Sequence, residues 1–238
     1  MQRYFGRIIE NQVVLSEDDV FHLTRVMRAR KGEKIEVVCD GLVYLAEVAS
    51  FKPLQIIVLN EIKENNELNN HIILVASLLK GEKMDLVLQK ATELGVSEIV
   101  LLETERTVVK IKRDDKEVKL LRFNKILKEA AEQSKRSRIP SLFRIIPFDR
   151  LYTVDADLKL IAYEGMEGSC ASFNKLVERI KPKQKVAVLI GPEGGFTTKE
   201  VDKAKALGFY EVSLGKRILR AETAAFYALS VIANQLEK

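Results

Sequence analysis

The sequence contains no tryptophan and few cysteines, histidines or prolines: two, two and five in 238 residues. Cys39 and Cys170 are far apart, and His22 and His71 add no spacing typical of a zinc site. We therefore expect no metal site and two unreactive cysteines. No stretch approaches the roughly 18 consecutive apolar residues of a membrane span, and the N-terminus, MQRYFGRIIE, lacks the apolar core of a signal peptide. These absences predict a cytoplasmic protein that has no membrane partner.

Positive charge is distributed unevenly along the chain. Residues 1–70 hold 9 Lys or Arg and 11 Asp or Glu, a net charge of −2, whereas residues 106–138 hold 12 and 5, a net charge of +7. A local surplus of this size is expected of a surface that contacts a phosphate backbone. A solvated, lysine-rich helix face is the alternative. A second cluster, RVMRARKGEK at residues 25–34, lies in the otherwise acidic N-terminal segment.

The first 70 residues are typical of a small β-rich domain. Asp40 and Gly41 lie between two β-branched runs and predict a hairpin turn. Ser16 and Asp19 have the spacing of a helix N-cap, so one helix is expected to begin there. The polar, asparagine-rich segment 60–70 predicts a linker to a second domain over residues 71–238.

Predicted strands and helices alternate after this linker, which favours an α/β domain with a largely parallel sheet covered on both faces. The predicted strands are 71–79, 98–102, 142–146, 158–163, 185–190 and 210–214. The predicted helices are 82–94, 115–137, 169–180, 198–207 and 222–236.

The stretch LIGPEGGF places three glycines and a proline directly after an apolar run. Thr197 and Glu200 then have the spacing of a capping box, so a helix is expected from about Thr198. A glycine-rich turn between a buried strand and a helix is where open α/β sheets place a nucleotide-like ligand. The pattern matches neither the dinucleotide fingerprint nor the P-loop, and a purely structural tight turn is the alternative.

A second signature, LGKRILRAETA at residues 214–224, follows a later predicted strand. Apolar residues beside concentrated polar groups suit a pocket for a ligand that has a flat apolar part and a charged part. Together with IGPEGGF at 190–196, this stretch resembles the SPOUT superfamily of RNA methyltransferases, and within it the 16S ribosomal RNA (uracil N3)-methyltransferases. Weaker matches in the same order cover almost the whole chain: RYF, HLTRVMR, KGEKMD, QKATELGVSEIVLLETERTVVK and EAAEQSKRSRIP.

This resemblance implies a PUA-like or OB-like β-barrel over residues 1–70 and an α/β domain with a trefoil knot over residues 71–238. It also implies a homodimer, S-adenosylmethionine (SAM) as cofactor, and 16S ribosomal RNA or the small ribosomal subunit as partner. The glycines would let the backbone wrap closely around the cofactor. The residues implied to contact it are Tyr163, Glu164, Ile190, Gly191, Glu193, Gly194, Leu214, Gly215, Ile218 and Leu219.

Methylation of uracil N3 requires loss of a proton and stabilisation of the resulting anion. Arg220 is the candidate for stabilising the anion and Glu222 for accepting the proton, although Glu222 can equally stabilise a helix N-terminus. Because N3 lies on the Watson–Crick edge, the base must be unpaired or turned out of its stack. The candidates for gripping the RNA are Arg3, Arg25, Arg28, Lys83, Arg136 and Arg138.

Two other functions are compatible with parts of the sequence. A non-catalytic RNA-binding ribosome assembly factor would keep the fold and lose the chemistry. A nicotinamide oxidoreductase would use the strand, helix and terminal acid between Leu78 and Glu103, but Gly81 is the only glycine in that turn, so a pyrophosphate could not approach the backbone closely. SAM binding would discriminate against both.

Overall fold

The computed structural model describes residues 1–163 and 171–238. It divides into two compact units, each with its own buried apolar core. The first comprises Met1–Glu67 and Ala131–Ile139, and the second comprises Leu68–Ala130 and Pro140–Lys238. The segment 131–139 therefore groups with the N-terminal residues, although the sequence pattern placed it in the second domain.

The first unit is built on a six-stranded sheet. Its strands are β1 (Arg3–Phe5), β2 (Arg7–Ile9), β3 (Gln12–Val14), β4 (Lys34–Cys39), β5 (Leu42–Phe51) and β6 (Leu54–Ile62). They lie in the order β1-β4-β5-β6-β3-β2, and each pair is antiparallel except β1 with β4. The first and last strands of this order, β1 and β2, are separated in the chain only by Gly6.

Two local predictions for this unit are confirmed. Asp40 and Gly41 join β4 to β5 with φ of 50° and 80°, the left-handed values that a two-residue hairpin turn requires. Helix α1 (Glu17–Phe21) begins after Ser16, whose side chain accepts a hydrogen bond from a backbone N–H of the first turn. A π-helical turn, His22–Val26, extends this helix.

The second unit is built on a seven-stranded sheet in which every pair is parallel, as the alternating pattern predicted. Its strands are β7 (His71–Ser77), β8 (Glu98–Glu103), β9 (Ile145–Pro147), β10 (Leu158–Ala162), β11 (Ala171–Ser172), β12 (Lys185–Ile190) and β13 (Phe209–Ser213). Their order is β11-β13-β10-β12-β7-β8-β9. The helices are α2 (Glu82–Glu93), α3 (Lys116–Gln133), α4 (Phe173–Val177), α5 (Thr198–Ala206) and α6 (Ala221–Leu236).

The central strand β12 is buried on both faces, which explains its unbroken apolar sequence. Val186, Val188 and Ile190 pack into one apolar cluster. Ala187 and Leu189 alternate with them and pack into the other cluster. The strand is thereby fixed between two helical layers, and the segment that follows it starts from a rigid position.

Two predicted helices are shorter than expected. The helix predicted over 115–137 ends at Gln133, because Lys135 has a left-handed φ of 61° that a helix cannot continue through. The helix predicted over 169–180 is reduced to α4. Residues 164–170 lie outside the described part of the chain.

The described residues contain neither a membrane-spanning helix nor a metal cluster. Every helix within residues 1–163 and 171–238 is too short or too polar to cross a bilayer. In the same ranges, no group of three or more His, Cys, Asp or Glu side chains is arranged to hold a metal ion. Cys39 is a free thiol, and Cys170 lies outside the described residues.

Candidate functional site

Three neighbouring strands of the second sheet end at one edge. Strands β12, β10 and β13 are adjacent and parallel, so the segments that follow them start at the same edge. These segments begin at Gly191, Tyr163 and Leu214. Ligands of open α/β sheets bind at the carboxyl ends of the strands, which makes this edge the candidate site.

A cavity of about 600 Å³ opens at this edge. This volume lies within the roughly 300–1,000 Å³ that is usual for a cofactor or small-molecule site. Among the residues that the structure describes, glycines, apolar side chains and five charged side chains form its lining. The lining residues are Lys83, Arg106, Ala162, Tyr163, Ile190, Gly191, Pro192, Glu193, Gly194, Gly195, Phe196, Leu214, Gly215, Arg217, Ile218, Leu219, Arg220, Ala221 and Ala224.

The cavity collects most of the residues that the family resemblance assigned to the cofactor. Arg220, assigned to catalysis, and Lys83, assigned to RNA, line the same cavity. Glu222 is not among the lining residues, and Glu164 lies outside the described part of the chain. The assigned cofactor residues that line the cavity are Tyr163, Ile190, Gly191, Glu193, Gly194, Leu214, Gly215, Ile218 and Leu219.

The glycine-rich loop after β12 is shaped by close packing and by a tight turn. A β-carbon on Gly191 would lie 3.1 Å from the ring of Phe196, which is buried. The N–H of Gly195 donates to the carbonyl of Pro192 at 2.9 Å, and the φ of Gly195 is 67°. The lack of a side chain at Gly191 thus leaves room for the Phe196 ring, whereas the sequence interpretation explained this glycine by close approach of the ligand.

The loop after β13 presents an exposed apolar side chain to the cavity. Gly215 has a φ of 121°, and a β-carbon there would meet nothing within 4 Å. The left-handed backbone, not lack of space, therefore selects glycine. Ile218 in the same loop is 87% exposed, so this wall offers an apolar surface that a bound ligand would cover.

Lys83 and Glu193 form an ion pair in the cavity wall, with Nζ 3.2 Å from Oε1. Lys83 lies at the start of α2 and Glu193 in the glycine-rich loop, so the pair ties the segment after β7 to the segment after β12. Burial raises the pKa of the Glu193 carboxyl, but hydrogen bonds from its own backbone N–H, from Lys83 and from the N–H of Lys80 outweigh burial and lower this pKa. Glu193 is therefore a carboxylate at neutral pH.

Arg106 is a cavity residue that the sequence interpretation included in the basic segment 106–138 but did not name as a site residue. It lies shortly after β8, and its Nη1 donates to the carbonyl of Gly194 at 2.9 Å. A β-carbon on Gly194 would lie only 3.2 Å from the Arg106 β-carbon, so glycine permits this approach. The sequence signal that could have identified Arg106 was a cation shortly after the predicted strand 98–102. The carboxyl end of this strand lies at the sheet edge where the glycine-rich loop begins.

The buried carboxylate of Glu200 fixes the loop that carries Arg106. Its Oε1 accepts from the backbone N–H of Glu105 at 2.9 Å. Its Oε2 accepts from the N–H and the hydroxyl of Thr197, at 2.9 and 3.1 Å. The predicted capping box of α5 is confirmed, and the same side chain also joins the loop after β8 to the start of that helix.

Arg220 and Glu222 lie at the start of α6 in different surroundings. Arg220 is the N-cap residue, its carbonyl accepts from the N–H of Ala224 at 2.8 Å, and its side chain is exposed. Glu222 is half-buried, and its Oε2 is buried without a hydrogen-bond partner within residues 1–163 and 171–238. Of the two, Arg220 is the residue that reaches the cavity.

Two arginines predicted to contact RNA are instead internal ion-pair partners. Arg3 is 1% exposed and pairs with Glu36 at 2.8 Å and Glu64 at 3.1 Å. Arg136 is 3% exposed and pairs with Glu67 at 2.6 Å. A phosphate contact would require these buried cations to leave their carboxylates, so we exclude both from the RNA interface.

The other predicted RNA contacts of the first unit are exposed. Arg25 and Arg28 lie at the end of the π-helical turn, and Arg138 lies in the segment 131–139. Their guanidinium groups are accessible to a phosphate backbone. These three side chains therefore remain candidates, together with Lys83 in the second unit.

Comparison with known proteins identifies both parts of the chain. Residues 66–233 match the RNA methyltransferase domain, and residues 15–59 match the RNA methyltransferase PUA domain. The chain is 34% identical to the ribosomal RNA small subunit methyltransferase E of Bacillus subtilis, over 100% of this chain and 98% of the relative. It is 35% identical to the protein of that name from Mesomycoplasma hyopneumoniae, over 97% and 98%.

Solved structures agree with these sequence matches. A Neisseria gonorrhoeae ribosomal RNA small subunit methyltransferase E bound to SAM superposes with a TM-score of 0.85 at 30% identity, over 98% of this chain and 96% of that chain. A Legionella pneumophila methyltransferase in complex with SAM gives a TM-score of 0.88 at 31% identity, with the same coverage. From its domain match, its relatives and its structural neighbours, the chain belongs to the ribosomal RNA small subunit methyltransferase E family of SPOUT RNA methyltransferases.

Proposed function

We propose that the chain is a SAM-dependent methyltransferase that methylates N3 of a uridine in the 16S ribosomal RNA of the small ribosomal subunit. The observation that carries this proposal is the cavity in which three strand-end loops bring the family's motif residues together. The names of the relatives support the RNA substrate, and the SAM-bound neighbours support the cofactor. An enzyme with a ribosomal substrate works in the cytoplasm.

The cavity residues fit SAM, which combines a flat adenine with a charged methionine part. Ile190, Leu214 and Leu219 provide apolar surface, and the backbone of Gly191–Gly195 provides polar groups beside it. These residues would hold the cofactor. When bound, it supplies an electrophilic methyl group on a positively charged sulfur.

Arg220 is the residue to which we assign stabilisation of the reacting base. The N3 proton of uracil is held at neutral pH and must leave before or during methyl transfer, and its loss places negative charge on N3, O2 and O4 until the methyl group is received. An exposed guanidinium that lines the cavity can donate charge-assisted hydrogen bonds to these oxygens. Because the charge develops as the proton leaves, this interaction lowers the barrier more than it strengthens ground-state binding.

Glu222 is the candidate for receiving the N3 proton. Its buried Oε2 has no hydrogen-bond partner among the described residues and so retains an acceptor. The side chain does not line the cavity, so the proton would pass through an intervening water molecule. Glu193 lines the cavity, but Lys83 and two backbone N–H groups already stabilise its ionised form.

The first unit is proposed to grip the RNA while the second performs the chemistry. An unpaired or flipped-out base must be held in position at the cavity, which favours a separate RNA-binding domain over residues 1–70 and a catalytic domain over residues 71–238. Arg25 and Arg28 lie within residues 1–70 and are exposed, and the exposed Arg138 lies in the segment 131–139, which groups with the first unit.

We also propose that the first sheet closes into a PUA-like barrel and that the second unit contains a trefoil knot. The barrel is supported by β1 and β2, which end the sheet order yet are joined through Gly6. The knot is supported by β13, which follows β12 in the chain but pairs with β10. Crossing connections at one sheet edge are what a knotted path requires.

A homodimer formed through α6 is the proposed assembly. A surface groove runs along α4 and α6, lined by residues that include Val177, Phe226, Tyr227 and Val231. Tyr227 is 37% exposed. A second copy of α6 would cover this apolar surface, and sedimentation at several protein concentrations tests it: a concentration-independent monomer mass would refute the dimer.

The proposed function is tested by cofactor binding followed by methyl transfer. SAM at about 100 times its dissociation constant should raise the free energy of unfolding by about 2.7 kcal/mol, whereas NADH should not stabilise the protein. With small ribosomal subunits from cells that lack the protein, labelled methyl should enter the RNA. SAM binding without transfer to subunits or to 16S transcripts would instead indicate the assembly factor.

A further inference from the structure

The charged side chains among the described residues that line the cavity are mostly cationic. Lys83, Arg106, Arg217 and Arg220 line the cavity, and Glu193 is the one acid among its lining residues in the described part of the chain. SAM carries a sulfonium, an ammonium and one carboxylate, so it is itself a net cation. Among the described lining residues, the positive charge exceeds what the single carboxylate of SAM can pair with, and this charge suits a second, anionic ligand.

Lys83 and Arg106 reach the cavity from strands that do not supply the cofactor motifs. Lys83 follows β7 and Arg106 follows β8, whereas the motif loops follow β10, β12 and β13. In the sheet, β7 and β8 lie beyond β12 on the side away from β10. The two cations therefore flank the glycine-rich loop from the side opposite to the loop that follows β13.

The two side chains are attached to successive residues of that loop. Lys83 pairs with the carboxylate of Glu193, and Arg106 donates to the carbonyl of Gly194. Glu193 and Gly194 are successive residues, so both cations are attached to neighbouring points of the glycine-rich loop. The loop thus anchors two cations that both line the cavity.

Both cations remain available to a ligand. The Lys83 side chain is 39% exposed, so an incoming anion can share its ammonium with Glu193. Arg106 is exposed, and the described residues provide its guanidinium with a single hydrogen bond, to Gly194. The remaining N–H groups keep the forked geometry that matches a phosphate.

We propose that Lys83 and Arg106 form a phosphate subsite that holds the RNA backbone next to the nucleotide being methylated. This subsite rests on the proposed function, since an RNA must reach the cavity for a phosphate to lie there. By binding the RNA backbone on one side of the glycine-rich loop, Lys83 and Arg106 would position the extruded base toward Arg220 on the other side of this loop. Phosphate contacts of this kind fix register and orientation without reading sequence.

The test compares Lys83→Gln, Arg106→Gln and Arg106→Lys with a control, Lys203→Gln. Lys203 is an exposed lysine in the same unit, pairs with Asp149 at 3.1 Å and does not line the cavity. For each protein, the dissociation constant of a 16S ribosomal RNA transcript is measured over a range of salt, and that of SAM separately. Small subunits lacking the modification provide KM and the saturated rate.

In each Gln variant, the plot of the logarithm of the RNA-binding constant against the logarithm of the salt concentration should be shallower by about 0.7. This change corresponds to a roughly 4-fold weaker affinity at about 0.15 M salt. Arg106→Lys should keep the slope, because it keeps the charge, but should raise KM. SAM affinity should stay at wild-type level or improve, and Lys203→Gln should match wild type throughout.

Two results would overturn the subsite. Wild-type salt slopes in both Gln variants, with SAM binding intact, would show that no phosphate is lost. Loss of SAM affinity in parallel with RNA affinity would assign the cations to the cofactor. If wild-type protein binds RNA but transfers no methyl group, the proposed function fails, and the slope comparison still decides whether the subsite exists. If Arg106→Gln does not fold, Lys83→Gln carries the comparison of salt slopes and Arg106→Lys carries the comparison of KM.

Discussion

Removing the Glu200 carboxylate should destabilise the second unit and disturb the loop that carries Arg106. Glu200 is 6% exposed, and its oxygens accept from the backbone N–H groups of Glu105 and Thr197. A hydrogen bond to a charged group contributes about 1.5–3 kcal/mol. Because Glu105 lies at the surface, where water can replace its lost partner, we expect Glu200→Ala to cost about 2–4 kcal/mol in total.

Two matched variants divide this effect. Glu200→Gln keeps one acceptor oxygen and should lose roughly half as much stability as Glu200→Ala. Thr197→Ala removes the hydroxyl that accepts from the Glu200 N–H and donates to the Glu200 carboxylate, but it leaves the contact with Glu105, and it should cost about 1 kcal/mol. Urea denaturation followed by far-ultraviolet circular dichroism measures all three, since the chain has no tryptophan to report unfolding.

The KM for small subunits distinguishes a Glu200 that positions Arg106 from a Glu200 that only caps helix α5. If Glu200 positions Arg106, then Glu200→Gln should raise the KM for small subunits as Arg106→Lys does, whereas Thr197→Ala should leave it unchanged. Equal stability losses in Glu200→Ala and Thr197→Ala, with equal KM values, would refute the reasoning.

Three further predictions concern Gly191, Arg220 and Glu193, which line the cavity. Gly191→Ala should cost about 1–3 kcal/mol by crowding Phe196, and a double-mutant cycle with Phe196→Leu should show a coupling of about 1 kcal/mol; additive effects would contradict the packing. Arg220→Ala should slow single-turnover methyl transfer on the order of 10²- to 10³-fold at saturating RNA and SAM, and a normal saturated rate would remove it from catalysis. The pKa of Glu193 is lower in the folded protein than its ordinary value of 4.5, so the ionised carboxylate contributes fully to stability above pH 4.5. This contribution is lost as the pH falls through the folded-state pKa, so the difference in unfolding free energy between wild type and Glu193→Gln should shrink in acid. A difference that does not change with pH would refute this.

The sequence was most informative where local and global signals agree. The apolar run of β12, the glycines and the Thr197–Glu200 capping box each constrain a few neighbouring residues, and the structure has strand, turn and helix at those positions. The parallel sheet also followed from alternation of strands and helices. The position of the cavity then follows, since carboxyl ends of neighbouring parallel strands share one edge.

Contacts between distant segments could not be read from the sequence. Arg3 and Arg136 look like surface cations, but each is buried against carboxylates far away in the chain. Arg106 lies 88 residues before its partner Gly194, so no local pattern connects them. The reason for Gly191 was also hidden, because it depends on where the Phe196 ring packs.

The most direct test of the proposed chemistry is the identity of the modified nucleoside. Small subunits from cells that lack the protein are incubated with SAM and wild-type enzyme, and the ribosomal RNA is digested and analysed by mass spectrometry against authentic methyluridines. We predict one N3-methyluridine per subunit, formed far more slowly by Arg220→Ala and marked by a reverse-transcription stop, since N3 methylation removes a Watson–Crick donor. Methylation at another atom or another base, or no methylation by a protein that binds both SAM and subunits, would contradict it.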